Sequence, residues 1–430
     1  MRVISLWLRL VIRAAASMRS ASATLLLCAE ELPLDGQTPT ANSGRLWLLR
    51  LGLYELTREK EQADDYVWML DHTIQIGNVK CLLIVAIRLS AWKKAEFGPL
   101  THQDLQVIGL EPVAQSSGKI VYQQLCAAQA ATGVPRAILA DGGSDLKTGI
   151  EQYVAEHSDQ TAGLYDIKHK TAAVLKAELR RDSRWEAFLA EMGRARTAIV
   201  QTPLAFLLSP TLKLKARYMN LAEVVHWGAD MLKLFERLPA ELPVSRQQLE
   251  EKFGWVRSYA AALEEWRAMF DVVETFNRQI RERGYHAGAS SELKQSLAGA
   301  PSAPGADRMR EALLAFVEAQ SAAARPDEHL LGTTEALESL IGTGKRLERQ
   351  HSKNGFTKLV LGLAAAVVRP TREFVQTALE TIKTKDVLDW SQKNLGPSLQ
   401  ALRRKAFPKP PAGERKRNGI KKQPTPMPTF

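Results

Sequence analysis

The chain has little cysteine, and what it has is scattered: Cys28, Cys81 and Cys126 stand alone, with no CxxC pair and no paired Cys/His spacing. That excludes a disulfide framework and a zinc finger and predicts a reducing compartment. Long apolar runs are missing too. Arg9 and Arg13 interrupt the apolar start of the chain where a secretion signal would need its centre, so this segment reads as an amphipathic helix. The run over 359–368 is too short to span a bilayer. No membrane segment is expected. Acidic residues are fewer than basic ones, 47 Asp and Glu against 58 Lys and Arg, and the formal net charge of +11 favours an anionic partner, of which nucleic acid is the commonest.

What is present is an α/β texture. Over residues 1–62 apolar positions recur at helical spacing, with Leu6 and Leu10, Leu26 and Leu27, and Leu49, Leu53 and Leu56, and breaks at Pro33-Leu34-Asp35-Gly36 and Ser43-Gly44. With Arg13, Arg19, Arg45 and Arg50 these helices suit either a shortened helix-turn-helix DNA reader or a small helical lid. From residue 63 the period changes. A short strand over 66–70 ends on Asp71, Gly77-Asn78 supplies a tight turn, and the apolar run 81–87 predicts a central strand covered on both faces. Further strands are expected over 107–113, up to Asp141, and over 162–165, with helices over 120–131 and 146–157 between them. Asp145, one turn beyond Asp141, predicts the cap of the second of these helices.

Strand signals then nearly vanish over 170–325. One long helix is predicted over 245–283, opened by the Ser245-x-x-Gln248 capping box and striped by Trp255, Tyr259, Leu263, Trp266, Phe270 and Val273 as a core. A Gly- and Pro-containing connection over 286–306 and a helix over 309–324 follow. Residues 326–370 carry a helix with Glu335 and Glu338 in its first turns, broken at Asn354-Gly355. Residues 371–430 read as a helix and a basic, Pro-containing tail in which Arg403, Arg404 and Lys405 are placed to hold phosphates.

Singly, Asp71, Asp141 and Glu338 are ordinary, because acids commonly end strands and open helices. Their order carries the argument. Two strand-end aspartates and a helix-borne glutamate supply the carboxylate oxygens that hard divalent cations need, and two such ions can cleave and rejoin a phosphodiester. Asp71 and Asp141 are 141 − 71 = 70 residues apart, room for two strands, a helix and a strand, whereas Glu338 lies 338 − 141 = 197 beyond Asp141. The block over 170–325 is therefore expected to be a helical insertion in the catalytic fold.

Four blocks, taken in order, resemble the motifs of bacterial insertion-sequence transposases of the DDE class. They are Tyr66-Val67-Trp68-Met69-Leu70-Asp71-His72-Thr73, Ala137-Ile138-Leu139-Ala140-Asp141-Gly142-Gly143, Tyr165-Asp166-Ile167-Lys168-His169, and Glu335-Ala336-Leu337-Glu338 with Lys345. The resemblance spans about residues 45–370 and implies an RNase H-like mixed sheet interrupted by a large all-helical insertion, with a small N-terminal helical region. It implies strand cleavage and strand transfer with Asp71, Asp141 and Glu338 on two Mg²⁺ or Mn²⁺ ions, with Glu335 the alternative third acid. Asp166 and His169 match an Asp-x-x-His motif, His169 touching the scissile phosphate or supporting a metal-binding Asp; a helix-capping Asp166 with an incidental His169 fits as well. Lys213, Lys215 and Arg217 match a DNA-holding insertion, with a solvated basic face as the alternative.

The partners implied are transposon ends and target DNA, with a homo-oligomer assembled on DNA and a cytoplasmic, nucleoid-associated bacterial location. The family's fuller DNA-recognition region has no counterpart of that length before residue 66. A relative that binds DNA without cutting it, and an RNase H-like nuclease or resolvase, are the other readings.

Overall fold

The computed structural model describes residues 1–31, 37–76, 79–212, 221–350, 357–397 and 399–408. The turns and breaks expected at 33–36, Gly77-Asn78 and Asn354-Gly355 lie outside them, as do Lys213, Lys215, Arg217 and the basic tail beyond residue 408. Helices α1 (Arg2–Ile12), α2 (Met18–Glu31) and α3 (Ala41–Thr57) precede the sheet. Strands β1 (Tyr66–Ile76), β2 (Val79–Arg88) and β3 (Gln106–Val113) follow, with α4 (Leu89–Lys94) between the last two. Then come α5 (Gly118–Thr132), β4 (Ala137–Ala140), α6 (Ser144–Glu156) and β5 (Ala162–Tyr165).

These strands form one sheet in the order β3-β2-β1-β4-β5. β2 runs antiparallel to β1 and β3, while β4 runs parallel to β1 and β5 parallel to β4. This is the mixed sheet, three antiparallel strands and then alternating helix and strand, that the sequence predicts for an RNase H-like core. Side chains alternate across it because the strand period is two. Tyr66, Trp68 and Leu70 join Leu82, Ile84, Ile138 and Ala140 under α5 and α6, where Trp68 and Tyr153 are fully buried. Val67, Met69, Leu83, Val85 and Leu139 face the opposite, larger core.

The sheet is interrupted by a helical block: α7 (Ile167–Arg181), α8 (Ser183–Ile199), α9 (Ala222–Glu236), α10 (Arg246–Phe253), α11 (Ala260–Arg283), α12 (Ala289–Ser296) and α13 (Pro304–Ser321). The capping box at Ser245 and Gln248 forms, but the single helix expected over 245–283 does not. A 3-10 segment, Gly254–Tyr259, divides it and brings Trp255 and Tyr259 onto Phe188 at ring-centroid distances of 5.4 and 5.2 Å, beside the edge-to-face pair of Trp185 and Trp266. Aromatic packing outweighs helical continuity there. The connection expected over 286–306 contains a real helix, α12, because Ala289 and Leu293 have a core to bury into.

The chain returns to the sheet through α14 (Glu335–Arg349) and α15 (Leu361–Ala366), and continues into α16 (Arg372–Thr381), α17 (Thr384–Leu395) and α18 (Leu399–Ala406). The N-terminal helices are part of the same core. α3 packs against α15 and α16, and Arg50, one of the four arginines of the possible DNA reader, is taken up by the backbone carbonyls of Ile382 (2.6 Å) and Leu379. Gly52 makes the crossing with α15 possible, since a Cβ there would sit 2.0 Å from the Leu361 carbonyl oxygen. Gly52→Ala is therefore expected to lose about 2 kcal/mol or more in urea unfolding, overpacking outweighing the ~1 kcal/mol that alanine ordinarily adds to a helix.

Candidate active site

Asp71 is not the last residue of its strand, as the sequence suggested. β1 continues to Ile76 along β2, with a bulge between His72 and Ile74, because residues 72–76 still have a partner strand. What ends is the pairing with β4: its last pair is Leu70 with Ala140, and Asp71 and Asp141 are the next residues on each strand. The parallel register thus places the two carboxylates at one edge of the sheet. By alternation Asp71 shares a face with Val67 and Met69, the face against which α14 packs.

Burial pushes the Asp71 carboxyl up from its usual 3.8 to about 6, and the charge of Asp141 adds to the rise, while a hydrogen bond from the His72 amide and the charges of His169 and Lys345 work against it. Asp141 accepts a hydrogen bond from the Gly143 amide (3.1 Å), and a Cβ on Gly142 would meet the Tyr165 ring at 2.8 Å, so the turn after Asp141 lies close against β5. Among the described residues neither Asp71 nor Asp141 forms an ion pair with a basic side chain. Two adjacent carboxylates, one of them raised by burial and by the charge of the other, and neither ion-paired to a basic side chain among the described residues, fit a divalent cation.

Asp166 is buried completely and holds two helices together. One oxygen accepts from the Lys168 and His169 amides (2.7 and 3.0 Å), capping α7, and the other accepts from the amide and hydroxyl of Thr334 (2.6 and 2.8 Å) at the start of α14. The helix-capping reading of Asp166 therefore holds. The helix that Asp166 caps presents Lys168 and His169 to α14. Lys168 Nζ lies 3.1 Å from Glu338 and 3.6 Å from Glu335, and His169 Nε2 lies 3.6 Å from Glu338.

The 3.6 Å contact with His169, together with the charge of Lys168, holds Glu338 below the usual carboxylate range despite burial, and the same contact raises His169. Burial acts to lower Lys168, but the charge of Glu338 raises it on balance. Asp71, Asp141 and Glu338 each interact through charge with His169, without forming a finished cage. Among the described residues, no group of three or more His, Cys, Asp or Glu side chains is arranged to hold a metal ion.

Lys345, on α14, is exposed and reaches Asp71 through its charge. Arg403, Arg404 and Lys405 are exposed on the last turn of α18. Asp145 does not cap α6, whose N-cap is Gly143; it lies on the other face of the sheet, 3.0 Å from His72 and 2.9 Å from Lys80, and against the opposing effect of burial its carboxyl is held well below the usual range by a hydrogen bond from Ser116, then by Lys80 and the charge of His72. Sequence reasoning missed Lys168, Lys80 and His72. The basic residue inside Asp166-Ile167-Lys168-His169 was the one available signal.

No family model matches the chain, and no curated protein matches it. Among solved structures it is similar to one described as the Drosophila P element transposase strand transfer complex, at 10% identity and a TM-score of 0.45, over 86% of this chain and 92% of that one. At that level the likeness assigns no residue and no reaction. Among the described residues no helix is long and apolar enough to cross a membrane.

Proposed function

We propose that the chain cuts and joins DNA as a DDE-class transposase, using Asp71, Asp141 and Glu338. The observation that supports this best is the pair formed by Asp71 and Asp141 at the end of the β1–β4 pairing, with the Asp71 proton held to about pH 6 and α14 carrying Glu338 toward the same cluster. Asp71 and Asp141 would hold the first cation, and Glu338, with Glu335 as the alternative, would complete the set. Mg²⁺ or Mn²⁺ bound there supplies activation of the water or 3′-hydroxyl nucleophile and stabilisation of the leaving oxygen.

Asp166 positions α7 and α14 relative to each other, and Lys168 and His169, now in contact with Glu338, would be at hand for a phosphate. Arg403, Arg404 and Lys405 would hold flanking phosphates, as would Lys213, Lys215 and Arg217. Joining two transposon ends to a target implies at least a dimer assembled on DNA, in the bacterial cytoplasm. The test is a cut-and-join assay on the DNA that flanks the gene. Mg²⁺-dependent nicking and joining are expected, and their absence on those ends overturns the proposal.

Cation binding should also carry the signature of Asp71. Because its proton competes with metal below about pH 6, Mn²⁺ affinity measured by calorimetry is expected to fall as pH drops from 6 to 5, approaching tenfold per unit, and to level off above pH 7. A pH-independent affinity across that range would remove Asp71 from the site.

A second reading is favoured by one observation, the pairing of Glu338 with Lys168 and His169 in place of a three-acid group. In it the chain binds DNA without cutting. Duplex binding in EDTA combined with no cleavage of the gene's flanking DNA in Mg²⁺ would select that reading.

A further inference from the structure

The candidate third acid is already engaged. Glu338 lies between two basic groups of α7, Lys168 Nζ at 3.1 Å and His169 Nε2 at 3.6 Å, while Glu335 one turn earlier takes a share of the same lysine at 3.6 Å. Asp166 fixes the backbone of both partners, so the contact is built in at both ends: it caps α7 just before Lys168 and grips Thr334 just before Glu335. Asp71 and Asp141, by contrast, face the cluster with no basic side chain paired to either among the described residues. One carboxylate cannot both neutralise an ammonium group at hydrogen-bond distance and present its oxygens fully to a divalent cation. A cation placed next to Lys168 would in turn be repelled by it.

We propose that Lys168 is an electrostatic latch: it holds Glu338 off the Asp71–Asp141 pair until a DNA phosphate takes over Lys168, so that the three acids come together only when substrate is present. This rests on the reading of Asp71, Asp141 and Glu338 as metal ligands. The exchange is balanced in charge. The phosphate replaces the Glu338 carboxylate beside Lys168 and His169, and the released carboxylate meets the cation. Lys168 is thereby a phosphate-binding residue and a positioning residue for Glu338. His169, on the same turn, follows it.

The test compares Mn²⁺ affinity, by calorimetry on the full chain without DNA, in wild type, Lys168→Gln, Lys345→Gln, Glu338→Gln and Lys168→Gln/Glu338→Gln. Lys345 acts on Asp71 through charge but is not paired to Glu338, so its variant measures the effect of deleting a nearby positive charge. Lys345→Gln is expected to tighten Mn²⁺ binding by about two- to threefold, whereas Lys168→Gln tightens it about tenfold by freeing Glu338. In the Glu338→Gln background the Lys168 change should fall back to the Lys345 level. In EDTA, Lys168→Gln should weaken binding of a 20-base-pair duplex and lower the salt slope by about one.

A Lys168→Gln effect no larger than that of Lys345→Gln, one that persists in the Glu338→Gln background, or an unchanged salt slope overturns the latch. If Asp71→Asn abolishes Mn²⁺ binding while one of those results is found, only the latch fails. If wild type binds no Mn²⁺, or Asp71→Asn binds it as well as wild type, the ligand assignment fails and the latch with it.

Discussion

Asp71→Asn is expected to abolish Mg²⁺-dependent strand cleavage, by at least about a thousandfold, and at the same time to make the metal-free protein more stable at pH 7.5. The two effects have one cause. In the fold Asp71 gives up its proton near pH 6 rather than 3.8, chiefly because burial penalises the charge and secondly because Asp141 repels it. A carboxyl whose folded value is raised is favoured in its protonated form, so folding stability is greatest below the unfolded value and is lost as pH rises from about 4 to about 6. The loss is at most about 3 kcal/mol.

An asparagine carries no charge and escapes that loss, so a gain of about 1–2 kcal/mol is expected in urea unfolding at pH 7.5, shrinking to nothing near pH 4. Saturating Mn²⁺ should reverse the ranking by stabilising wild type alone. Cleavage that survives the substitution would remove Asp71 from the chemistry. A wild type more stable than Asp71→Asn without metal would mean that the carboxylate has a favourable partner in the free protein, and so is not waiting for a cation.

The second large effect belongs to Asp166. Asp166→Ala is expected to destabilise the chain by about 3–5 kcal/mol and to disable cleavage with it, because four hydrogen bonds at 2.6–3.0 Å are lost and the Thr334 amide is left buried without an acceptor. Asp166→Asn is the sharper probe. All four groups that reach Asp166 donate, and an amide has one accepting oxygen and one donating nitrogen, so Asn can satisfy one helix but opposes the other. A loss of about 2–3 kcal/mol is expected by urea unfolding. An Asn variant as stable as wild type would show that the junction of α7 and α14 does not depend on this carboxylate.

Much of the sheet was legible because strands advertise themselves locally. The run Cys81–Ile87 is apolar without a break since β2 is an interior strand covered on both faces, and the alternation of β1 separates Tyr66, Trp68 and Leu70 from Val67 and Met69. Strand ends were harder. β1 was expected to stop at Asp71, but a strand lasts as long as a neighbour accepts its hydrogen bonds, and β2 accompanies it to Ile76. The break at Gly254–Tyr259 was hidden because Trp255 and Tyr259 keep a helical spacing with the residues that follow, while their packing against Phe188 is a contact with a segment more than 60 positions away.

The sequence by itself determined which acids stand on the sheet strands and in the first turn of a helix, because strand alternation and capping are local rules: Asp71 lies within the alternating strand β1, Asp141 directly follows the apolar β4, and Glu338 lies in the first turn of α14. Tertiary structure alone decided what those acids meet. Lys168 lies 170 positions from Glu338, and Thr334 lies 168 from Asp166. Electrostatic energy depends on distance through space and on burial, and neither is written in the order of residues until the helical block between β5 and α14 has folded back and set α7 beside α14.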